Sequence, residues 1–213
     1  MLKIFHVRGT RSVRVIWLCE ELQIPYEVEM ISFDPAFRLS SEWLKMNPVG
    51  KVPAMVNDGQ SMFESGAMVQ YLLQREGQGR LEPSINSAEY SQYLQWFWFA
   101  EATFARPLGE IVNHKRAIPP GDQSEIAIQE MQARARLCWA AVGDAVGASG
   151  FLCETFTAAD IMMGYTMLLC ERLAPTDESA NASAYWARLQ ERPAYTAAMA
   201  HGVDHPSPLD RAT

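Results

Sequence analysis

The sequence predicts a small α/β domain followed by an all-helical domain. Within about eighty residues, strand-like and helix-like patterns follow one another in the order β-α-β-α-β-β-α. Residues 77–87, "GQGRLEPSINS", then interrupt all periodicity with glycine, proline and serine. Beyond them every patterned segment has helical spacing and strand signals vanish. The expected boundaries are 1–78 for the α/β domain, 79–87 for a linker and 88–213 for the helical domain.

The elements follow from local patterns. "LKIFHV" alternates and reads as a strand, and "RSVRVIWLCEELQIP" reads as a helix stopped before Pro25. "YEVEMISF" alternates again, giving a parallel pair joined by a crossover helix. "SSEWLKMNP" is a short helix or turn ending at Pro48. "KVPAMV" and "QSMFES" flank "NDG", a strong hairpin signal, so the sheet is mixed. "SGAMVQYLLQRE" places Met68, Val69, Leu72 and Leu73 on one helical face. In the second domain "AEYSQYLQWFWFAEATFARPLGEIV" reads as one long aromatic helix, and three further helical segments follow it.

Composition narrows the functional classes. At 213 residues, 48% hydrophobic and 20% charged, the chain has the make-up of a soluble protein with a proper core. A formal charge of −7, with no local Lys/Arg run, argues against a nucleic-acid partner. No window approaches the ~18 uninterrupted apolar residues of a membrane helix, and the N-terminus lacks the pattern of a secretory signal. The four cysteines are widely spaced, the natural reading being free thiols in a cytoplasmic protein. The four histidines show no ligand spacing, so no metal is expected.

Some motifs carry more than folding information. "FTAADI" holds a capping box, Thr157 with Asp160, and Phe156 with Ile161 can staple it. "FESG" puts Glu64 and Ser65 where a strand meets a helix. Ser65 can be a plain N-cap, or the helix start and hydroxyl can hold a carboxylate while Glu64 takes an ammonium. In "NPVGKVPAM" a proline sits inside a strand-like run. It marks an edge strand, or a cis Val52–Pro53 bond would free the N–H and C=O of Val52 to pair with an extended peptide. In "RGTRSVRV", Thr10 and Ser12 can be caps or can present a hydroxyl to a thiolate.

In this order the motifs resemble those of the cytosolic glutathione transferases. "NPVGKVPAM" followed after a hairpin turn by "FESGAMVQYL" is similar to that family's glutathione-binding pattern. "RVIWLCEELQIPYE" resembles its first helix, and "FTAADI" and "RPAY" match its second domain. The resemblance implies a thioredoxin-like N-terminal domain, an all-helical C-terminal domain contributing the electrophile pocket, and a homodimer. It implies that Val52, ahead of a cis Pro53, pairs with the cysteinyl backbone of glutathione, and that Glu64 and Ser65 hold the γ-glutamyl group. Lys51 and Arg38 are candidates for the glycine carboxylate, and Glu101 for the partner subunit's γ-glutamyl ammonium.

The activating group stays open at this stage. His6 stands where tyrosine classes would want a tyrosine, and Cys19 lies too far inside the helix to serve a cysteine class. Thr10 and Ser12 are the candidates, with Arg11 or backbone N–H groups of the turn as alternatives. The expected activity is conjugation of the glutathione thiolate, glutathione being the co-substrate, to an apolar electrophile. Trp96, Phe97, Phe99 and Phe104 are expected either to line the electrophile site or to be core. The alternatives are a non-catalytic glutathione or ligand binder, or a glutathione-dependent isomerase or reductase.

Overall fold

A computed structural model describes residues 1–211. The chain divides into two compact units: Met1–Arg80 with Arg192–Arg211, and Leu81–Glu191.

The first unit is built on a four-stranded sheet in the order β2-β1-β3-β4. Strand β1 (Leu2–His6) runs parallel to β2 (Tyr26–Met30), and β3 (Ala54–Asn57) runs antiparallel to β1 and to β4 (Gln60–Phe63). Helix α1 (Ser12–Leu22) makes the crossover; α2 (Pro35–Arg38) and α3 (Ser41–Met46) precede β3, and α4 (Ser65–Glu76) follows β4. This is the thioredoxin-like arrangement expected, with α2 as an addition that the sequence reading lacked. Asp58 and Gly59 turn the β3–β4 hairpin with φ of +51° and +80°, the paired left-handed conformation that an Asp-Gly tight turn supplies.

Alternation in β1 buries Leu2, Ile4 and His6 on one face, while Phe5 on the other packs edge-on against Trp43 of α3 at 5.6 Å. The core is filled by Ile16, Trp17 and Leu18 from α1 and by Met68, Val69, Leu72 and Leu73 from α4.

The second unit is helical: α5 (Tyr90–Trp98), α6 (Ala105–Ala117), α7 (Glu125–Ala145), α8 (Ala158–Leu173) and α9 (Ala180–Gln190). The single long helix expected over 88–112 is instead α5 and α6 joined by a π-helical stretch, Phe99–Phe104. Pro107 has no N–H for the regular ladder, and the Thr166 hydroxyl donates to the Ala100 carbonyl at 3.0 Å, taking up an oxygen within the widened turn. The capping box at α8 is present and extended. Asp160, fully enclosed, accepts from the N–H of Thr157 (2.8 Å) and Leu152 (3.1 Å) and from the Tyr185 hydroxyl (2.9 Å). Burial nevertheless pushes the Asp160 carboxyl up to about 6.

Helix α10 (Pro193–Ala200) belongs to the first unit, so the segment expected as one helical domain divides at Arg192. The reason lies in "RPAY". Arg192 donates twice to Glu21 of α1, at 2.6 and 2.7 Å, and Tyr195 packs edge-on against Trp17 at 4.9 Å. Trp17 Nε1 also donates to Glu21 at 2.9 Å, so the largely enclosed Glu21 carboxylate accepts three hydrogen bonds. No helix among the described residues is long and apolar enough to cross a membrane.

Candidate functional site

Sheet register gathers most of the candidate residues at one end of the first unit. Phe5 pairs with Ala54 and Ala54 with Phe63, so the end of β1, the start of β3 and the end of β4 coincide. The turn bearing Thr10 leaves the first, Val52 and Pro53 enter the second, and Glu64 and Ser65 leave the third. Glu101 lies in the π-helical stretch of the other unit.

The Val52–Pro53 bond is cis, and neither the N–H nor the C=O of Val52 has a hydrogen-bond partner among the described residues. The loop that presents it is held from inside. Asn47, 2% exposed, donates through Nδ2 to the carbonyls of Lys51 (2.9 Å) and Pro53 (3.3 Å). Its Oδ1 accepts from the Val49 N–H at 3.2 Å. Arg38 donates to the carbonyls of Phe33 (3.0 Å) and Gly50 (3.2 Å) with its guanidinium over the Phe33 ring, so it braces this loop. Gly50 takes φ +60°, and a Cβ there would lie 2.8 Å from the Arg38 carbonyl oxygen. Lys51 is exposed at the loop's crest.

Glu64 adopts φ +72° and ψ +101° at the start of α4, a conformation that costs a non-glycine residue ~1–3 kcal/mol. Its side chain is exposed and Ser65 behind it is buried. Arg14, with no exposed surface, donates from Nη1 to Ser65 Oγ at 3.2 Å. That bond occupies an oxygen lone pair and leaves the serine proton available. A buried guanidinium and the unused N–H groups of a twelve-residue helix therefore both favour an anion at Ser65.

In the β1–α1 turn, Gly9 takes φ +73°, and a Cβ there would meet Ser207 Oγ at 2.3 Å. The Thr10 N–H (3.2 Å) and hydroxyl (2.8 Å) both reach the Val7 carbonyl. Ser12 Oγ lies 2.8 Å from Thr10 Oγ1 and 2.7 Å from His6 Nδ1. Thr10 keeps 8% of its surface exposed and Ser12 none, so Thr10 is the hydroxyl at the surface and Ser12 the one behind it. Arg11 caps α1 without a side-chain hydrogen bond to the helix start.

Burial pushes the Cys19 thiol up to about 12, which makes it a poor nucleophile. Phe97 and Phe104 are 1% and 0% exposed, so they are core of the helical unit rather than lining for a ligand. Asn47, Arg14 and His6 were not singled out in the sequence as site residues. A polar residue inside an apolar run was the available signal for Arg14 in "SVRVIW" and His6 in "LKIFHV".

Residues 1–74 match the family model described as glutathione S-transferase, N-terminal domain. Glutathione S-transferase 3 of Schizosaccharomyces pombe is 32% identical over 103 residues, which span 48% of this chain and 42% of that protein. Protein URE2 of Candida albicans is 27% identical over 116 residues, 52% of this chain and 34% of that one. The chain thus spans under half the length of these curated relatives. The fold superposes on the glutathione transferase URE2P6 of Phanerochaete chrysosporium, solved with oxidized glutathione, with a TM-score of 0.82. That match has 22% identity over 92% of this chain and 94% of the other.

Proposed function

We propose that this chain, which belongs to the glutathione transferase family, binds glutathione at the sheet end described above and conjugates its thiolate to an apolar electrophile. The observation that carries the reading is that the N–H and C=O of Val52 have no partner among the described residues, two positions before Ala54, which pairs with Phe63 two positions before Ser65. An extended tripeptide would pair its cysteinyl backbone with Val52. Its γ-glutamyl carboxylate would take the Ser65 proton at the start of α4, with Arg14 behind, and its ammonium would face Glu64. Lys51 would meet the glycine carboxylate, while Arg38 positions the loop. In a homodimer, Glu101 would reach the γ-glutamyl ammonium held by the partner subunit.

In this reading the sulfur would lie beside Thr10. A free cysteine thiol titrates near ~8.5, and bringing it down by ~2 units takes just under ~3 kcal/mol of preferential thiolate stabilisation. A hydroxyl donor to a thiolate supplies ~1.5–3 kcal/mol of that. The Thr10 proton can turn outward without orphaning the Val7 carbonyl, which keeps the Thr10 N–H. Ser12 acts behind it rather than on sulfur.

A second reading, a glutathione binder without turnover, draws support from the similarity to Protein URE2 and from the inward hydrogen bonds of Thr10. Glutathione affinity by calorimetry, with turnover of a generic aryl halide, for wild type, Thr10→Ala and Ser65→Ala separates the two. Conjugation predicts micromolar-to-millimolar binding, turnover lost chiefly in kcat for Thr10→Ala, and affinity lost for Ser65→Ala. Binding without turnover of any electrophile would favour the second reading, and absence of glutathione binding would overturn both.

A further inference from the structure

Residues 201–211 belong to the first unit and are tied to it at both ends. At one end the His201 carbonyl accepts from His6 Nε2 at 3.2 Å, and the His201 ring lies 3.0 Å from the Tyr26 hydroxyl. At the other, Arg8 Nη1 donates at 3.4 Å to the His205 carbonyl and to Asp210. Between these ties the chain closes on itself. The Ser207 N–H donates to Asp210 and the Asp210 N–H to the Ser207 carbonyl, both at 3.0 Å, while the Leu209 N–H donates to Ser207 Oγ at 3.1 Å. This closed turn leaves Ser207 4% and Leu209 5% exposed. A Cβ on Gly9 would lie 2.3 Å from Ser207 Oγ and 3.3 Å from Leu209 Cδ1, so both side chains are seated on that glycine.

Gly9 is the point at which the β1–α1 turn is easiest to deform. It lies between His6, where β1 ends, and Ser12, where α1 begins, and it holds φ +73° without a Cβ to restrict it. The turn's bonds from the Thr10 N–H and hydroxyl both end on one carbonyl, that of Val7. We propose that residues 201–211 are a strap that holds this turn in place beside the sulfur of glutathione, with Ser207 and Leu209 as positioning residues acting through Gly9. This rests on the reading that the turn borders the sulfur. The hold comes from packing rather than charge, because the Arg8–Asp210 pair is long and part-exposed, and such pairs are worth little. With the Leu209 side chain cut back, Gly9 gains room to swing and carries Thr10 with it. Val52, Glu64 and Ser65 lie on other loops and keep their places.

The test combines amide exchange at Thr10 in the free protein, which reports opening of the turn, with ultraviolet titration of the thiol of bound glutathione and steady-state kinetics. Wild type, Leu209→Ala and Leu209→Met are compared, with melting checked for each. Leu209→Ala should exchange the Thr10 amide about tenfold faster and shift the bound thiol by about half a pH unit or more. Its kcat should fall about fivefold, with KM for glutathione within about twofold of wild type. Leu209→Met, which keeps the volume, should restore all three to near wild type. A folded Leu209→Ala protein with unchanged Thr10 exchange, or with unchanged thiol ionisation, would overturn the inference while wild-type binding and turnover upheld the function. A second comparison reads the contact itself. Gly9→Ala should lower the melting temperature more in wild type than in Ser207→Ala, where the oxygen 2.3 Å from the new Cβ is gone and the backbone strain is the same. Equal losses in both backgrounds would overturn the seating of Ser207 on Gly9, and the inference with it. Wild-type protein that binds no glutathione would overturn the reading beneath it and the inference together.

Discussion

Replacing Asn47 by alanine tests whether the loop ahead of β3 is held ready for a peptide ligand. The substitution removes the bonds from Nδ2 to Lys51 and Pro53 at 2.9 and 3.3 Å and from the Val49 N–H to Oδ1 at 3.2 Å. At a net ~0.5–1.5 kcal/mol each, the loss is about 2–4 kcal/mol in all. Part of this appears as lower stability. The rest appears on binding, because residues 49–53 must be reordered around glutathione, at ~1–2 kcal/mol per residue fixed. Calorimetric titration of Asn47→Ala should show glutathione binding weakened tenfold or more, about 1.4 kcal/mol, with the ionisation of the bound thiol unchanged. Asn47→Asp should be worse than alanine, since a carboxylate keeps the bond from Val49 but faces two carbonyl oxygens with no proton to give. A folded Asn47→Ala protein that binds within twofold of wild type would refute the reasoning.

Other predictions follow from strain and from buried titrating groups. Glu64→Gly relieves the φ +72° backbone and should raise the melting temperature by a few degrees, at ~1 kcal/mol net, while weakening glutathione binding; weaker binding without a gain in stability would show that the strain is not stored there. Gly50→Ala, whose Cβ would meet the Arg38 carbonyl at 2.8 Å on a φ +60° backbone, should lower both stability and glutathione affinity, and unchanged melting and titration curves would contradict that. His6, held at about 4 against an ordinary 6.5, contributes stability that is full above pH ~6.5 and lost as pH falls toward 4, because the unfolded chain takes up the proton first. Asp160, raised by burial from 3.8 to about 6, works in the opposite sense over an overlapping window, since the native state takes its proton first. Denaturant titrations should therefore show His6→Asn gaining about 2 kcal/mol relative to wild type between pH 6.5 and 4.5, whereas a pH-independent difference would exclude burial of a neutral His6.

Much of the first unit was legible because its signals are local. Alternation in "LKIFH", the Asp-Gly turn and the capping box at Thr157 each need only a few neighbouring residues, and the structure has all three. The cis Val52–Pro53 bond was one of two readings open on the local sequence, and the resemblance of the surrounding motifs pointed to it. What the sequence could not give depends on distant partners. The bond from His6 to His201 spans 195 positions, and α10 packs on α1 because Arg192 finds Glu21 across 171. No periodicity encodes such a pairing. The π-helical stretch was hidden because Pro107 sits in an otherwise good helical pattern, and the Thr166 hydroxyl that donates to the Ala100 carbonyl is on another helix. That Thr10 keeps some exposed surface while Ser12 is enclosed is a fact of packing rather than of sequence order. Asn47 looked like the tail of a short helix; only the folded loop shows its amide reaching Lys51 and Pro53.

The central claim is that Val52 offers its backbone to glutathione. Amide hydrogen exchange at Val52, followed with and without saturating glutathione, addresses it most directly. The Val52 N–H has no partner among the described residues and should exchange fast, then become protected by at least tenfold when glutathione binds, while Asn57 on the hairpin changes little. Glutathione bound tightly with the Val52 amide still exchanging at its free rate would contradict the account.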